Sequence, residues 1–230
     1  MEAKRKARAL AENLKALGVK EIATELPASD ILERLGEADT AQEREMSRRE
    51  TLRNEAAVVE KCKKCGLGGH RTHAVYGDGN EYADIVFVGE APGAEEDRQG
   101  LPFVGRAGQL LNRLLEQVGL TRSEIYICNL LKCRPPDNRD PLPEELAACR
   151  PYLDRQTAVI KPKIIVCLGL FAAQAMLNAK ESMARLRGGQ HKIGDTFVIP
   201  TYHTAAALRF PAYKQQIYDD LCRARDLAYG

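Results

Sequence analysis

The sequence predicts an α/β protein, a three-layer α/β/α sandwich around a four-stranded parallel sheet, with a helical N-terminal extension. Two observations lead to this prediction. Four short, β-branched apolar runs follow one another along the chain, and helical patterns separate them. Strands that alternate with helices in this way form parallel sheets whose two faces are both covered by helices.

The predicted strands are apolar almost without interruption, which indicates burial on both faces of the sheet. They lie at residues 85–88, 125–128, 164–168 and 197–199. The helical patterns fill the intervals, at residues 107–118, 143–160 and 171–177. The order of elements is therefore that of a parallel α/β sheet.

Composition divides the chain into two parts. Residues 1–53 are rich in Ala, Leu, Glu, Lys and Arg and carry 11 basic and 11 acidic residues, whereas the apolar runs all lie in residues 54–230. We expect residues 1–53 to form a helical extension, either a solvated appendage or an arm that binds a protein partner. Residues 54–230 are expected to form the functional domain.

Charge and hydropathy narrow the class of protein. The chain of 230 residues has a formal net charge of only +2, so a nucleic-acid surface has to be a local basic patch. Its most apolar stretch, residues 164–177, is about half as long as a membrane span. The N-terminus lacks the apolar run of a secretion signal. We therefore expect a cytoplasmic protein with no membrane partner.

Glycines and polar residues follow the predicted strands. Gly89 and Glu90 follow the first strand, Asn129 the second, Gly169 the third and His203 the fourth. Because ligands bind outside the carboxyl ends of parallel strands, these residues predict a pocket at one edge of the sheet. The segment that begins at Gly89 matches neither a dinucleotide fingerprint nor a Walker loop, which argues against a nucleotide cofactor.

A loop rich in turn-forming residues precedes the first predicted helix of the domain. Residues 98–108 contain three glycines and a proline around Phe103. Glycine and proline favour tight turns. The loop is therefore able to hold the Phe103 ring against a flat ligand.

Seven cysteines in a reducing compartment indicate metal ligation or buried thiols rather than disulfides. Cys62 and Cys65 have the CxxC spacing that turns two sulfurs towards one metal centre, and Cys133 and Cys149 are the further candidate ligands. Spacing alone leaves zinc and an iron–sulfur cluster both open. Three cysteines lie in predicted strands or the last helix and are expected to be core residues: Cys128, Cys167 and Cys222.

Eight blocks of sequence, in this order, resemble the family 4 uracil-DNA glycosylases, the thermostable-type branch of the uracil-DNA glycosylase superfamily. The blocks are CxxC at 62–65, Val-Gly-Glu-Ala-Pro-Gly at 88–93, Glu-Glu-Asp at 95–97, Leu-Pro-Phe-Val-Gly-Arg-Ala-Gly at 101–108, Asn129, Lys-Cys-Arg-Pro-Pro-Asp-Asn-Arg at 132–139, Ala-Cys-Arg-Pro-Tyr at 148–152 and Thr-Tyr-His at 201–203. No block is specific alone, but their combination is. The resemblance extends from about residue 52 to residue 221.

The resemblance implies an enzyme of DNA base-excision repair. Such an enzyme hydrolyses the N-glycosidic bond of deoxyuridine in single- or double-stranded DNA and leaves an abasic site. The resemblance also implies a 4Fe–4S cluster, whose ligands would be Cys62, Cys65, Cys133 and Cys149. Since hydrolysis needs no redox step, the cluster is expected to be structural and to pin a loop that touches DNA.

The resemblance assigns roles to three sets of residues. Uracil would be bound by Glu90, Ala91, Phe103, Asn129 and His203. Catalysis and the positioning of water would fall to His203, Glu96, Asn138 and Glu90. DNA phosphates would be bound by Arg106, Arg134, Arg139 and Arg209.

The chemistry of uracil excision gives three of these residues a physical rationale. The base leaves the stack and enters a pocket, where the Phe103 ring would stack on it. The Asn129 amide can donate to uracil O4 and accept from N3–H, a pairing that the reversed edge of cytosine refuses. His203 would lie near O2, where negative charge develops as the base departs.

The sequence departs from the family pattern at one position of the last block. The family usually has proline after the histidine, and Thr204 stands there. Because proline would fix the backbone, we expect Thr204 to leave His203 less firmly positioned and to lower efficiency. A second difference is from the best-known superfamily branch, whose water-activating aspartate is replaced by Ala91.

Three alternatives stay open from the sequence. The first is a catalytically weak iron–sulfur relative that binds DNA in replication or repair without cutting it. The second is a superfamily branch that forms covalent adducts with DNA, which is disfavoured because no basic insertion with a histidine lies between Gly93 and Pro102. The third is an unrelated zinc hydrolase that uses His70 and His73 beside the CxxC pair.

Overall fold

A computed structural model of the chain describes residues 48–230, so the extension predicted over residues 1–53 lies almost entirely outside the described residues. Within the described part, Glu50–Gly230 form one compact unit. The described part of the chain begins with a helix, α1, over residues 48–60. The division of the chain at residues 53 and 54 stays a prediction.

The sheet has six strands in the order β1-β3-β2-β4-β6-β5. They are β1 (Asp78–Gly79), β2 (Ile85–Gly89), β3 (Tyr126–Asn129), β4 (Ile164–Leu168), β5 (His191–Ile193) and β6 (Thr196–Thr201). The four predicted strands are β2, β3, β4 and β6, and they pair in parallel. The prediction of a purely parallel, four-stranded sheet was incomplete, because β1 and β5 add antiparallel edges. Both edge strands are short and lack the buried apolar run by which the others were identified.

Seven further helices follow α1 in the described chain. They are α2 (Ala94–Gln99), α3 (Arg106–Gln117), α4 (Pro143–Ile160), α5 (Leu170–Leu177), α6 (Met183–Leu186), α7 (Thr204–Arg209) and α8 (Ala212–Tyr229). The predicted helices correspond to α3, α4 and α5. Helix α4 begins with a proline at its first position and with the Glu145 carboxylate accepting the Leu142 N–H at 2.9 Å, both of which favour a helix start.

Strand β2 shows how the three layers form. Ile85 and Phe87 pack into an apolar cluster that includes residues of α3 and α8, whereas Val86 and Val88 pack into a second cluster with residues of α4 and α5. Successive strand residues face opposite sides of a sheet, so helices cover both faces. The predicted α/β/α sandwich is confirmed.

The carboxyl ends of the parallel strands meet at one edge of the sheet. Gly89 at the end of β2 is in register with Asn129 at the end of β3. Two backbone bonds extend this pairing, from the Leu130 N–H to the Gly89 carbonyl and from the Leu131 N–H to the Glu90 carbonyl. The fold thus brings the segments after β2 and β3 side by side.

None of the helices in residues 48–230 is both long and apolar enough to cross a membrane. The cytoplasmic location expected from the sequence stays a prediction.

Candidate active site

A cavity of about 570 Å³ opens at the carboxyl edge of the sheet. It is lined by every residue predicted to bind uracil or to act in catalysis: Glu90, Ala91, Glu96, Phe103, Asn129, Asn138 and His203. Their predicted roles are not tested by this proximity. Asp140, which was not predicted from the sequence, also lines the cavity. A single acidic residue in a loop carries no signal by which it could have been found.

Asn129 presents an unsatisfied acceptor to the cavity. Its side chain is 1% exposed, and among the described residues its Oδ1 has no hydrogen-bond partner. A Cβ on Gly89 would lie 2.3 Å from this oxygen and 2.8 Å from the Phe103 ring. Gly89 is therefore required for the close approach of Asn129 and Phe103. A buried amide oxygen without a partner favours a ligand that donates a hydrogen bond.

Phe103 forms one wall of the cavity. The residue is buried and adopts a φ of 52°, in the left-handed region that bulky residues rarely occupy. Its ring centroid lies 5.5 Å from that of His203, at an interplanar angle of 31°. The two rings and Asn129 thus line the same part of the cavity.

His203 is fixed by the start of helix α7. It occupies the N-cap position, and its Nδ1 accepts a hydrogen bond from the Ala205 N–H at 3.0 Å. Burial lowers the pKa of His203 to about 4, and the nearby Glu96 opposes this shift only in part. The imidazole is therefore neutral at pH 7. Because Nδ1 accepts, the proton resides on Nε2.

Glu96 holds the loop that carries Phe103. Its Oε1 accepts the backbone N–H groups of Val104 at 2.9 Å and of Gly105 at 2.8 Å. Gly105 is the N-cap residue of α3 and, as a glycine, offers no side chain to cap the helix. The Glu96 carboxylate thus satisfies free amides at a helix start. One of its oxygens is committed to this structural contact.

Glu90 and Asp140 place two carboxyl groups on the same cavity. Burial raises the pKa of Glu90 to about 7, and the Asp140 carboxylate adds to the shift. Glu90 therefore titrates near neutral pH. A carboxyl group with this pKa is a typical general acid or base.

The four predicted phosphate ligands differ in their surroundings. Arg209 and Arg139 both line the cavity. Arg209 is exposed, whereas Arg139 is half-buried. Arg139 forms a two-pronged ion pair with Glu145, at 2.6 and 2.9 Å, which neutralises much of its charge. Arg106 and Arg134 lie outside the lining, and Arg134 donates to Asn138 Oδ1 at 2.8 Å.

The four candidate metal-ligating cysteines lie in one apolar cluster on the α4 side of the sheet. Cys62 and Cys65 follow α1, Cys133 follows β3, and Cys149 lies on α4. Burial raises the pKa of the Cys133 thiol to about 11, and the Arg71 guanidinium that donates to its sulfur opposes this shift only in part. The fold thus brings cysteines from three separate chain segments to the same side of the sheet.

Hydrogen-bond donors surround three of these sulfurs. The Arg71 guanidinium donates to Cys133 Sγ at 2.9 Å, the Lys132 N–H to Cys149 Sγ at 3.3 Å and the Tyr152 hydroxyl to Cys62 Sγ at 3.3 Å. Such donors stabilise thiolates and tune metal centres. Over residues 48–230, however, no three His, Cys, Asp or Glu side chains are placed to hold a metal ion.

Thr204 is the first residue of α7, and among the described residues its buried hydroxyl has no hydrogen-bond partner. His203 has the extended φ and ψ of −72° and 137° that precede proline. We expect Thr204→Pro to raise the free energy of unfolding by about 1 kcal/mol, because it removes an unsatisfied hydroxyl and restricts the unfolded chain. Urea denaturation checks this. Thr204→Val isolates the contribution of the hydroxyl, and a loss of stability in both variants would contradict the explanation.

Comparisons with known proteins agree with this geometry. A family model of the uracil DNA glycosylase superfamily matches residues 76–222. The chain is 44% identical over 186 residues to the type-4 uracil-DNA glycosylase of Archaeoglobus fulgidus, which covers 77% of this chain and 94% of that protein. It is 47% identical over 165 residues to the type-4 uracil-DNA glycosylase of Thermotoga maritima, covering 71% of this chain and 86% of that protein.

A more distant relative is the type-5 uracil-DNA glycosylase of Thermus thermophilus, with 31% identity over 151 residues, 57% of this chain and 68% of that protein. The family match, from residue 76 to residue 222, contains all residues that line the cavity. The chain therefore belongs to the uracil DNA glycosylase superfamily and, within it, to the type-4 family.

Proposed function

We propose that this protein hydrolyses the N-glycosidic bond of uracil in DNA and leaves an abasic site. The relatives named type-4 uracil-DNA glycosylase support the reaction. The single observation that carries the proposal is the buried Asn129 Oδ1, which has no partner within residues 48–230, on a cavity that Phe103 also lines. An acceptor beside an aromatic ring matches a flat base that donates from N3–H.

His203 would act as a neutral hydrogen-bond donor to the departing base. Its Nδ1 is occupied by the Ala205 N–H, so Nε2–H is the group that can face uracil O2. Negative charge on O2 grows as the glycosidic bond breaks, and a donor aimed there lowers the barrier by about 3–4 kcal/mol. The low pKa of His203 keeps this donor neutral.

Glu90 is the candidate that best fits the positioning of water. One oxygen of Glu96 already binds two backbone amides, and Asn138 Oδ1 accepts from Arg134. The Glu90 carboxylate, when ionised, would orient a water molecule towards C1′ of the sugar and accept its proton. The water oxygen bonds to C1′ as the bond from C1′ to the base breaks, and uracil leaves with the electron pair of that bond.

The pKa of Glu90 predicts a pH dependence of uracil excision. Because Glu90 is ionised only above a pKa of about 7, the single-turnover rate should rise with pH through a midpoint near 7. Glu90→Gln should lower the single-turnover rate and abolish its rise with pH near 7. Asp140→Asn should move the midpoint to lower pH, because it removes the carboxylate that raises the pKa of Glu90. A Glu90→Gln variant with the wild-type rate and profile would exclude this role.

Arg209 would provide the phosphate contact closest to the cavity, since it is exposed and has no carboxylate partner among the described ion pairs. Binding of DNA should then weaken with salt by a slope close to the number of phosphates neutralised. For residues 1–53, the composition is consistent with either a solvated appendage or an arm that binds a protein partner.

A 4Fe–4S cluster on Cys62, Cys65, Cys133 and Cys149 is part of the proposal. Each cysteine of such a cluster binds a different iron, so the sulfurs need not converge on one ion. This accounts for four cysteines that share one apolar cluster without forming a site for a single ion. The donors onto their sulfurs suit thiolate ligands. When bound, the cluster would supply a rigid cross-link between three chain segments.

Iron content tests the cluster. Protein purified without oxygen should be brown and contain about four iron atoms per chain. Cys149→Ser should lose most of this iron, whereas Cys222→Ser, at a cysteine of α8 outside the set, should retain it. A colourless protein with one zinc would overturn the cluster and favour the zinc hydrolase.

Cleavage of DNA at abasic sites tests the reaction. The purified protein is incubated with matched oligonucleotides that contain uracil, cytosine or thymine at one position, and alkali then cuts the abasic sites. Cleavage of the uracil strand alone is the expected result. Binding of the uracil strand without cleavage, also in Thr204→Pro, would reject the proposal and favour the catalytically weak DNA-binding alternative.

A further inference from the structure

The backbone at Phe103 is held in an unfavourable conformation. A left-handed φ of 52° at a phenylalanine persists only where the surroundings enforce it. Helix α3 packs closely against the same backbone at Gly108. Any larger residue there would collide with it, since an added Cβ would lie 1.8 Å from the Phe103 carbonyl oxygen. The direction of the Phe103 ring therefore depends on groups that hold this turn.

Arg122 holds the turn from the side of β3. Its Nη1 donates to the Phe103 carbonyl at 3.1 Å, and its Nη2 donates to the carbonyl of Pro102. Its Nε lies 3.5 Å from Asp78 Oδ2, on edge strand β1. The guanidinium thus joins two consecutive carbonyls of the strained turn to the edge of the sheet.

The position of Arg122 is itself fixed by its own turn. The backbone N–H and the hydroxyl of Thr121 both donate to Glu124 Oε2 at 2.7 Å. This capped turn lies between α3 and β3, and it fixes the backbone from which the Arg122 side chain extends. Arg122 does not line the cavity, so it would not touch the base.

Two clamps therefore enclose Phe103. Glu96 binds the amides of Val104 and Gly105 after it, and Arg122 binds the carbonyls of Pro102 and Phe103. We propose that Arg122 is a positioning residue that sets the Phe103 ring against the uracil pocket. The proposal rests on the function proposed above, because it assigns the ring to the stacking of uracil.

Replacement of Arg122 tests this role, with Arg225 as the matched control. Arg225 also donates to a backbone carbonyl, that of Val118 at 2.9 Å, and pairs with an adjacent carboxylate, but none of its hydrogen bonds or ion pairs within residues 48–230 reaches the Phe103 turn. Arg122→Met should raise the inhibition constant of free uracil and lower the single-turnover rate, each by about 10- to 100-fold. Arg225→Met should change neither. Arg122→Lys, which retains a charged donor, should recover part of the loss.

A double-mutant cycle with Phe103→Ala separates positioning from general destabilisation. If Arg122 acts through the ring, the double variant Arg122→Met with Phe103→Ala should be no slower than Phe103→Ala alone. Additive losses in the cycle, or an effect of Arg225→Met equal to that of Arg122→Met, would overturn the proposal.

Hydrogen exchange provides a readout that needs no activity. Arg122→Met should speed the exchange of the Val104 and Gly105 amides, which depend on the turn, by about tenfold, whereas Arg225→Met should not. Unchanged exchange would overturn the clamp. If the wild-type protein releases no uracil but Arg122→Met still speeds the exchange of these amides, the proposed function is wrong, whereas the role of Arg122 in holding the turn is supported.

Discussion

Replacing His203 by Ala should lower the single-turnover rate of uracil excision by about 100-fold or more, with little change in the affinity for DNA. The variant removes the neutral Nε2–H donor that we propose faces the developing charge. Arg209→Ala should do the reverse, weakening DNA binding and reducing the salt slope by about one, with a small effect on the chemical step. Rapid-quench kinetics at saturating enzyme, with binding measured separately, checks both variants.

The effect of His203→Ala has a structural alternative, because the imidazole also caps helix α7. His203→Asn separates the two roles. Asparagine is a good N-cap residue, so this variant retains the cap but places no donor at the position of Nε2. We expect it to be as slow as His203→Ala. A rate near that of the wild type would show that the cap, and not the donor, is what matters.

Replacing Asn129 by Leu should lower uracil excision by at least about 1000-fold, because the buried site then no longer pairs with the edge of the base. Asn129→Asp should lower it less. A carboxyl group at this 1% exposed position would be protonated and would present a different donor pattern, so the ratio of cytosine to uracil excision should rise. Excision from matched uracil and cytosine oligonucleotides measures both effects.

Gly89 offers an independent check on this pocket. A Cβ at Gly89 would collide with Asn129 Oδ1 and the Phe103 ring, so Gly89→Ala should disturb the same selectivity. If Asn129→Leu excises uracil at the wild-type rate, Asn129 is only a strand-end residue and the uracil pocket lies elsewhere.

The sheet could be predicted from the sequence wherever burial left a pattern. Strands β2 and β4 are apolar throughout because helices cover both faces of the sheet. The start of α4 is marked by a proline and by a capping glutamate. The edge strands β1 and β5 could not be predicted, since pairing on one side alone imposes no apolar run. Their partners are chosen by tertiary contact.

The candidate site was predictable where it follows strand ends. Glu90 directly follows β2, Asn129 is the last residue of β3, and His203 lies two residues after β6. The fold brings such positions together at the carboxyl edge of the sheet. The roles of Glu96 and Arg122 could not be predicted in the same way. Both bind backbone groups of the Phe103 turn, and a side chain that bonds to backbone leaves no pattern in the residue types.

Hydrolysis of the bond between uracil and deoxyribose yields free uracil and an abasic site in equal amounts. The most direct test is to quantify free uracil by mass spectrometry, together with abasic sites, during a single turnover on a uracil-containing oligonucleotide. We expect one free uracil for each abasic site, at a rate that falls in His203→Ala, with the strand intact until alkali is added. Uracil-DNA that is bound but releases no base, or a covalent adduct of protein and DNA in place of free abasic DNA, would contradict hydrolysis by this chain.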